Sequence, residues 1–472
     1  MKKSLLSFYL ITTIACLAIC VLALHLGQGL VPGAEAVAAK SSAHAGSGVF
    51  TALVGNLRHP LAILLLQLVV VIGAAKLLGA LFQRLKQPAV IGEMIAGILL
   101  GPSLLGATLP GVKDFLFPAT SMGGLQLFAQ IGVILFMFCI GIELDLAAMR
   151  KRAQAAVAVS HVSIVAPFAL GCLLALGVYS TLAPQGVAFA PFALFMGIAM
   201  SITAFPVLAR ILKERGLSNT PLGNIAIACA AVDDVTAWCI LAVVVAIGKA
   251  NGFGGAAVTI VLSAGFTLAM LMLARPRLEL LSVREADDES GRARIVVGAV
   301  VFAFLAALCT ETIGIHALFG AFLAGALIPA ESPVAKLLRE RIETFSGAFL
   351  LPLFFAFTGL RTQIGMLDSR WDWLICAGII ALAIAGKFGG SLLAARFTGM
   401  NWRDAASLGA LMNTRGLMEL IVLNIGYDMG ILSPRLFAMM VIMALVTTMM
   451  TGPLLTLIER WRPLNARMTS ST

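Results

Sequence analysis

Charge is what this chain has least of. Only 12% of its 472 residues are Asp, Glu, Lys or Arg, against 60% hydrophobic residues and a mean hydropathy of +1.00. That balance excludes a water-soluble globular domain. Familiar catalytic signatures are missing as well. There is no HExxH or GxSxG, which leaves a membrane-embedded enzyme without a catalytic set, and no Walker-type loop to suggest ATP consumption. The eight cysteines, Cys16, Cys20, Cys139, Cys172, Cys229, Cys239, Cys309 and Cys376, all fall in apolar stretches with no CxxC pair and no His at ligand spacing. Disulfides, a metal centre and other cofactors are therefore not expected. Nor does the net charge of +10 mark a nucleic-acid binder, because Lys and Arg sit in short clusters between apolar runs rather than along one polar face.

What fills the chain instead is a series of apolar runs, each near the roughly 20 residues that a helix needs to cross a bilayer. Thirteen spans are predicted, at 60–82, 89–105, 122–143, 154–178, 187–211, 222–247, 254–274, 294–314, 315–330, 344–362, 372–397, 404–428 and 434–458. If alternate connections are cytoplasmic, that side collects Arg84 and Lys86, Arg150 to Arg152, Lys213 and Arg215, Lys336 to Arg341, and Arg460, Arg462 and Arg467. The positive-inside rule then sets the C-terminal tail, 459–472, in the cytoplasm of an inner-membrane protein. Residues 1–26 begin with two lysines and an apolar run too long for a signal-peptide core, so an extra uncleaved helix is favoured; cleavage near the AEAVAA stretch is the alternative. Residues 27–59 read as an external linker, 60–458 as the membrane domain and 275–294 as a solvated cytoplasmic loop.

Two neighbouring pairs of spans resemble each other. GEMIAGILLGP at Gly92–Pro102 matches GAFLAGALIP at Gly320–Pro329, and LFMFCIGIELDL around Gly141 matches LFFAFTGLRTQI around Gly359. Each second copy comes seven spans after the first, an odd step, so it enters the membrane from the opposite side, as in inverted-topology repeats. The repeats run over about 89–211 with 222–247, and 315–458. Their fourth members both look breakable. SITAFPVLAR carries Pro206, which removes a backbone donor and steers Phe205 away from helical angles, while MNTRGLMEL sets Asn413, Thr414, Arg415, Gly416 and Glu419 in mid-span. Interrupted helices at matching positions point to a midplane ion site.

Asp233 and Asp234 lie mid-span in IACAAVDDVTAWCILAVVVAI, where one ionised carboxylate costs at least about 2.5–3.5 kcal/mol. A salt bridge explains one of them. Adjacent helical residues point about 100° apart, so both cannot serve the same partner. Lys387 is the lysine near the centre of its span, and Gly386, Gly389 and Gly390 around it allow another backbone to approach. Two carboxylates and one ammonium leave one negative charge, which a monovalent cation or protons can satisfy in competition. Ser201 and Thr203 offer hydroxyls beside the first break, and Asn413 an amide at the second; a hydroxyl bonding its own helix is an equal reading. Arg415 and Glu419, four residues apart, are read as neutralising each other.

Taken together, VIGEMIAGILLGPSLLG, FMFCIGIELDL, AVDDVTAW, IGIHALFGAFLAGALIP and NTRGLMELIVLNIG resemble the cation:proton antiporter-2 family over about residues 60–458. The last two are similar to plant-type cation/H+ exchangers, and the double aspartate with a distal lysine to electrogenic bacterial sodium/proton antiporters. The resemblance implies an all-α polytopic membrane protein with crossed discontinuous helices. It also implies a homodimer in which a core of spans four to six and eleven to thirteen moves as an elevator against a dimerisation domain. Asp234 would carry the cation (Na+ or K+) and proton, and Asp233 would alternate between Lys387 and protonation. Unlike glutathione-gated potassium efflux systems, the chain stops about fourteen residues after its last span, so regulation by an appended nucleotide-binding domain is not expected. Two other function classes fit less well. A passive cation channel would show a repeated filter segment, and an organic-anion transporter of the same fold would not carry two acids at its site.

Overall fold

A computed structural model describes residues 56–57, 59–143, 153–217, 220–249, 253–282 and 289–460. The predicted N-terminal segment at 1–26, most of the linker and the tail beyond residue 460 lie outside them. Among the described residues every regular element is helical. This follows from the composition, since in hydrocarbon a backbone N–H or C=O must find its partner within the same segment, which a helix provides.

Among the described residues ten helices are long and apolar enough to cross a membrane, and the chain is an integral membrane protein. They include α1 (Pro60–Arg84), preceding the shorter α2 (Ala89–Leu100), then α3 (Ala119–Glu143), α4 (Ala153–Leu182) and, after two half-length helices, α5 (Phe189–Ser201) and α6 (Phe205–Glu214), α7 (Pro221–Lys249). Next come α8 (Phe253–Ala269), α9 (Glu289–Ile313), α10 (Ala317–Ala326), α11 (Leu351–Arg361) and α12 (Arg370–Ile384). The last are α13 (Gly390–Phe397), α14 (Trp402–Met412), α15 (Leu417–Asp428) and α16 (Pro434–Arg460). The stretch 275–294, expected as a loop, is helical at both ends. Arg275–Ser282 continues the helix before it through a π-turn at Met270–Ala274, and Glu289 opens α9. Arg, Leu and Glu are good helix formers, so polarity alone did not end these helices.

Three of the thirteen expected spans have no counterpart among these ten helices. Residues 315–330 contain only the short α10. The expected span 187–211 divides into α5 and α6 around an extended link, and 404–428 divides into α14 and α15 around Asn413–Gly416. Pro206 falls in the first turn of α6, where a missing N–H costs nothing. The two links meet, with the amide of Ala204 donating to the carbonyl of Thr414 at 3.0 Å.

Glycines permit several close helix crossings. Gly97 of α2 packs on Ala356 of α11, and Gly359 of α11 packs back on Met94 and Gly97. In the same manner Gly325 of α10 packs on Phe138 and Gly141 of α3, and Gly141 packs back on Phe322 and Gly325. A Cβ on any of these four would run into a neighbouring carbonyl, so the backbones touch only because the side chains are absent. Gly92 of α2 lies against Leu78 of α1, and Gly320 of α10 against Ala306 of α9.

Candidate functional site

The residues singled out by charge converge where α4, α7 and α12–α13 pack around the two links. Asp233 of α7 is fully buried and fully engaged. Its Oδ2 accepts from Lys387 Nζ at 2.8 Å, Thr203 Oγ1 at 2.6 Å and Ser163 Oγ at 3.0 Å, and its Oδ1 accepts from Ser160 Oγ at 2.5 Å. Lys387, also fully buried, donates in addition to the carbonyl of Ser201 and lies 3.4 Å from Ser163 Oγ. A π-turn at Ala385–Gly389 carries this lysine, a local widening that re-aims a side chain and recurs at functional sites. Gly386 on the same turn sits directly on Pro167 of α4, which brings the serine-bearing helix against the lysine.

Asp234 contrasts with its neighbour. It is 1% exposed, yet its Oδ1 meets no hydrogen-bond donor. Asn413, at the second link, is equally buried; its Nδ2 faces Met450 Sδ at 3.7 Å and its Oδ1 has no partner. Buried acceptors without donors are rare and call for an explanation. Oxygen atoms of this kind are what a hard monovalent cation would replace its hydration shell with.

The other sequence candidates occupy different roles. Ser201 turns its hydroxyl back to the carbonyl of Gly197 at 2.7 Å, so it reaches the cluster through its own carbonyl, not its side chain. Thr203 Oγ1 also lies 3.2 Å from the carbonyl of Met412, linking the two breaks. Arg415 and Glu419 form a fully buried i,i+4 ion pair at 3.4 Å, but Glu419 accepts no hydrogen bond. The guanidinium donates instead to the carbonyls of Ala199 at 2.9 Å and Met200 at 2.6 Å, the free carbonyl end of α5. Ser160, Ser163 and Thr448 escaped the sequence reading. Thr448 Oγ1 donates to the carbonyl of Arg415 at 2.7 Å and lies 3.1 Å from its amide, holding the second link to α16. The available signal for the serines was their i,i+3 spacing on one face of α4, which is common in apolar helices.

Comparison with known proteins follows the same span of chain. Residues 68–461 match the family described as sodium/hydrogen exchanger, transmembrane. The chain is 44% identical over 397 residues to the Na+/H+ antiporter NhaS4 of Synechocystis sp., covering 84% of this chain and 97% of that one. It is 39% identical over 399 residues to cation/H+ antiporter 17 of Arabidopsis thaliana, covering 84% of this chain and 48% of the relative. Identity to K+/H+ antiporter 1 of Saccharomyces cerevisiae is 34% over 415 residues, covering 85% and 47%. The chain thus spans about half the length of the last two. Among solved structures, the sodium proton antiporter MjNhaP1 from Methanocaldococcus jannaschii at pH 8 has a TM-score of 0.61 at 15% identity, over 84% of this chain and 96% of that one, a likeness of fold. With a family match that runs from α1 to the end of α16, the chain belongs to the sodium/hydrogen exchanger family, which is a family of transporters and not of enzymes.

Proposed function

We propose that this protein exchanges a monovalent cation, Na+ or K+, for protons by alternating access, with Asp234 as the group for which the two compete. The observation that carries the reading is the unequal treatment of two adjacent buried carboxylates. Asp233 is satisfied by one ammonium and three hydroxyls, while Asp234, just as buried, keeps an oxygen without a donor. A buried carboxylate in that condition is stabilised by a proton or by a cation, and it releases one when it takes the other. In this scheme Asp233 exchanges its bond to Lys387 for a proton during the cycle, and Asn413 Oδ1 contributes to the cation's shell. The NhaS4 and K+/H+ antiporter relatives carry names consistent with either cation.

The same reading includes two inverted repeats. The crossing of α2 on α11 and that of α10 on α3 use sequence-matched glycines, Gly97 with Gly325 and Gly359 with Gly141, and Gly92 and Gly320 face the preceding helices alike. One operation exchanging the two halves would carry each crossing into the other, which supports the repeat. A core of α4–α7 and α12–α16 would then move against the remaining helices in a homodimer of the plasma membrane, with the C-terminus cytoplasmic.

The test is transport in proteoliposomes bearing an acid interior. Addition of Na+, K+ or Li+ outside is expected to collapse the pH gradient at a rate that saturates with cation concentration. Asp234→Asn is expected to abolish this collapse, and exchange persisting in that variant would remove Asp234 from the role.

A further inference from the structure

A cavity of about 330 Å³ opens among α3, α10, α11 and α15, lined in part by Val133, Leu318, Phe354, Ile421, Asn424 and Asp428. It lies toward the end of the molecule where α7 terminates, because Gly248 in the last turn of α7 rests on Met429 and Ile431, immediately after Asp428. Asp234 is deeper along α7. Trp238 stands one turn nearer the cavity, roughly 6 Å along the axis, and residues four apart share a helix face.

The indole of Trp238 is stacked on the ring of Phe322, with centroids 6.0 Å apart and planes 28° from parallel. Phe322 in turn lies one turn along α10 from Leu318, which lines the cavity. Both rings are buried, and the Trp238 Nε1 has no acceptor. A buried core tryptophan ordinarily finds a partner for its N–H. This one leaves a donor unpaired within a turn of a carboxylate oxygen that is also unpaired.

We propose that the Trp238–Phe322 stack is the gate between this cavity and Asp234. Ring stacking and burial hold the gate shut. The unpaired indole N–H opposes them, because turning the ring toward the cavity or toward Asp234 Oδ1 gives that donor an acceptor. A closed state held by one term and weakened by another is shallow, as a barrier that must open once per cycle requires. Since Trp238 rides on α7 with Asp234 and Phe322 belongs to α10, displacement of one helix past the other separates the rings. The inference rests on the exchange reading above for its cycle, but not for the barrier itself.

The experiment uses the full chain in proteoliposomes with an imposed pH gradient, measured first with no Na+, K+ or Li+ present. Trp238→Ala and Phe322→Ala are each expected to let the gradient decay severalfold faster than in the wild type, because Asp234 stays open to the cavity in both orientations. Adding Asp234→Asn to either variant is expected to stop that leak, which a merely loosened fold would not do. Trp238→Phe keeps the stack and removes the opposing donor. It is expected to slow turnover about tenfold, the low end for one buried unpaired donor, with the cation KM little changed. Proton-tight alanine variants with wild-type turnover in Trp238→Phe overturn the gate, as does a leak that survives Asp234→Asn. Should Trp238→Ala fail to elute as a folded species, Phe322→Ala and Trp238→Phe decide alone. If wild-type protein exchanges no cation while the alanine variants still leak through Asp234, the gate stands and the exchange reading falls.

Discussion

Replacing Lys387 by Met removes one charge from the centre of the site while nearly keeping the side chain's length. The ammonium makes a 2.8 Å ion pair with Asp233, both groups fully buried, and a bond to the carbonyl of Ser201. Breaking a buried pair from one side costs about 3–5 kcal/mol, because the other charge is left without compensation. Here the three hydroxyls of Ser160, Ser163 and Thr203 still hold Asp233, which argues for the lower half of that range. With an unfolding entropy of about 2.1 cal/mol/K per residue over the roughly 400 residues of the membrane domain, 3–4 kcal/mol lowers the melting temperature by about 4–5 °C. Lys387→Met with Asp233→Asn should recover most of the loss, since no lone buried charge then remains. The assay is thermal unfolding of the four purified proteins of this cycle in one detergent. A single variant that melts with the wild type, or a double variant whose loss equals the sum of the two singles, refutes the account of a coupled buried pair.

Arg415→Lys is expected to lose about 1.5–3 kcal/mol of stability in the same melting assay, because one ammonium cannot reproduce the two guanidinium bonds to Ala199 and Met200. Gly141→Val and Gly359→Val should each destabilise by about 3 kcal/mol or more, since each new Cβ meets a carbonyl of the facing helix; the proposed repeat further predicts losses equal to within about 1 kcal/mol. Ser160→Ala is expected to slow proteoliposome exchange more than Ser163→Ala. The Ser160 hydroxyl serves Asp233 alone, whereas that of Ser163 also lies 2.9 Å from the carbonyl of Ser160 and so divides its one proton.

The interruptions could be read from the chain because their causes are local. Asn413, Arg415 and Glu419 are too polar for a lipid-facing helix, and Pro206 removes a donor wherever the helix stands. Lys387 announced itself by its depth and its glycine flanks. The partners of Arg415 were hidden for the opposite reason. Sequence spacing offers Glu419 one turn away, yet the hydrogen bonds go to Ala199 and Met200, about two hundred positions earlier. Ser201 was named for a hydroxyl that folds back on its own helix, while its contribution is a carbonyl that no side-chain pattern encodes. Ser160 and Ser163 acquire meaning only when Gly386 lets α4 approach the lysine.

Near-equivalent breaks need not do equivalent chemistry, and here the difference lies in how each carbonyl end is capped. Helix α5 ends on Ala199, Met200 and Ser201, whose carbonyls accept from two cations, Arg415 and Lys387. Helix α14 ends on Met412, whose carbonyl lies 3.2 Å from the neutral Thr203 hydroxyl, and that of Ala410 lies 3.4 Å from Thr451 Oγ1. A helix C-terminus carries roughly half a negative charge. At the first break that charge is met by two cationic side chains, whereas at the second it is met by backbone amides donating to Gly409 and Leu411 and by neutral hydroxyls, beside Asn413 and its unpartnered oxygen. The make-up of the cluster at the two breaks agrees, for there the acids Asp233, Asp234 and Glu419 outnumber the bases Lys387 and Arg415 by one group. Under the proposed exchange, a mobile cation or proton would have its place on the side of Asp234 and the second break, while the first break holds Lys387 and Arg415 where Asp233 reaches one of them.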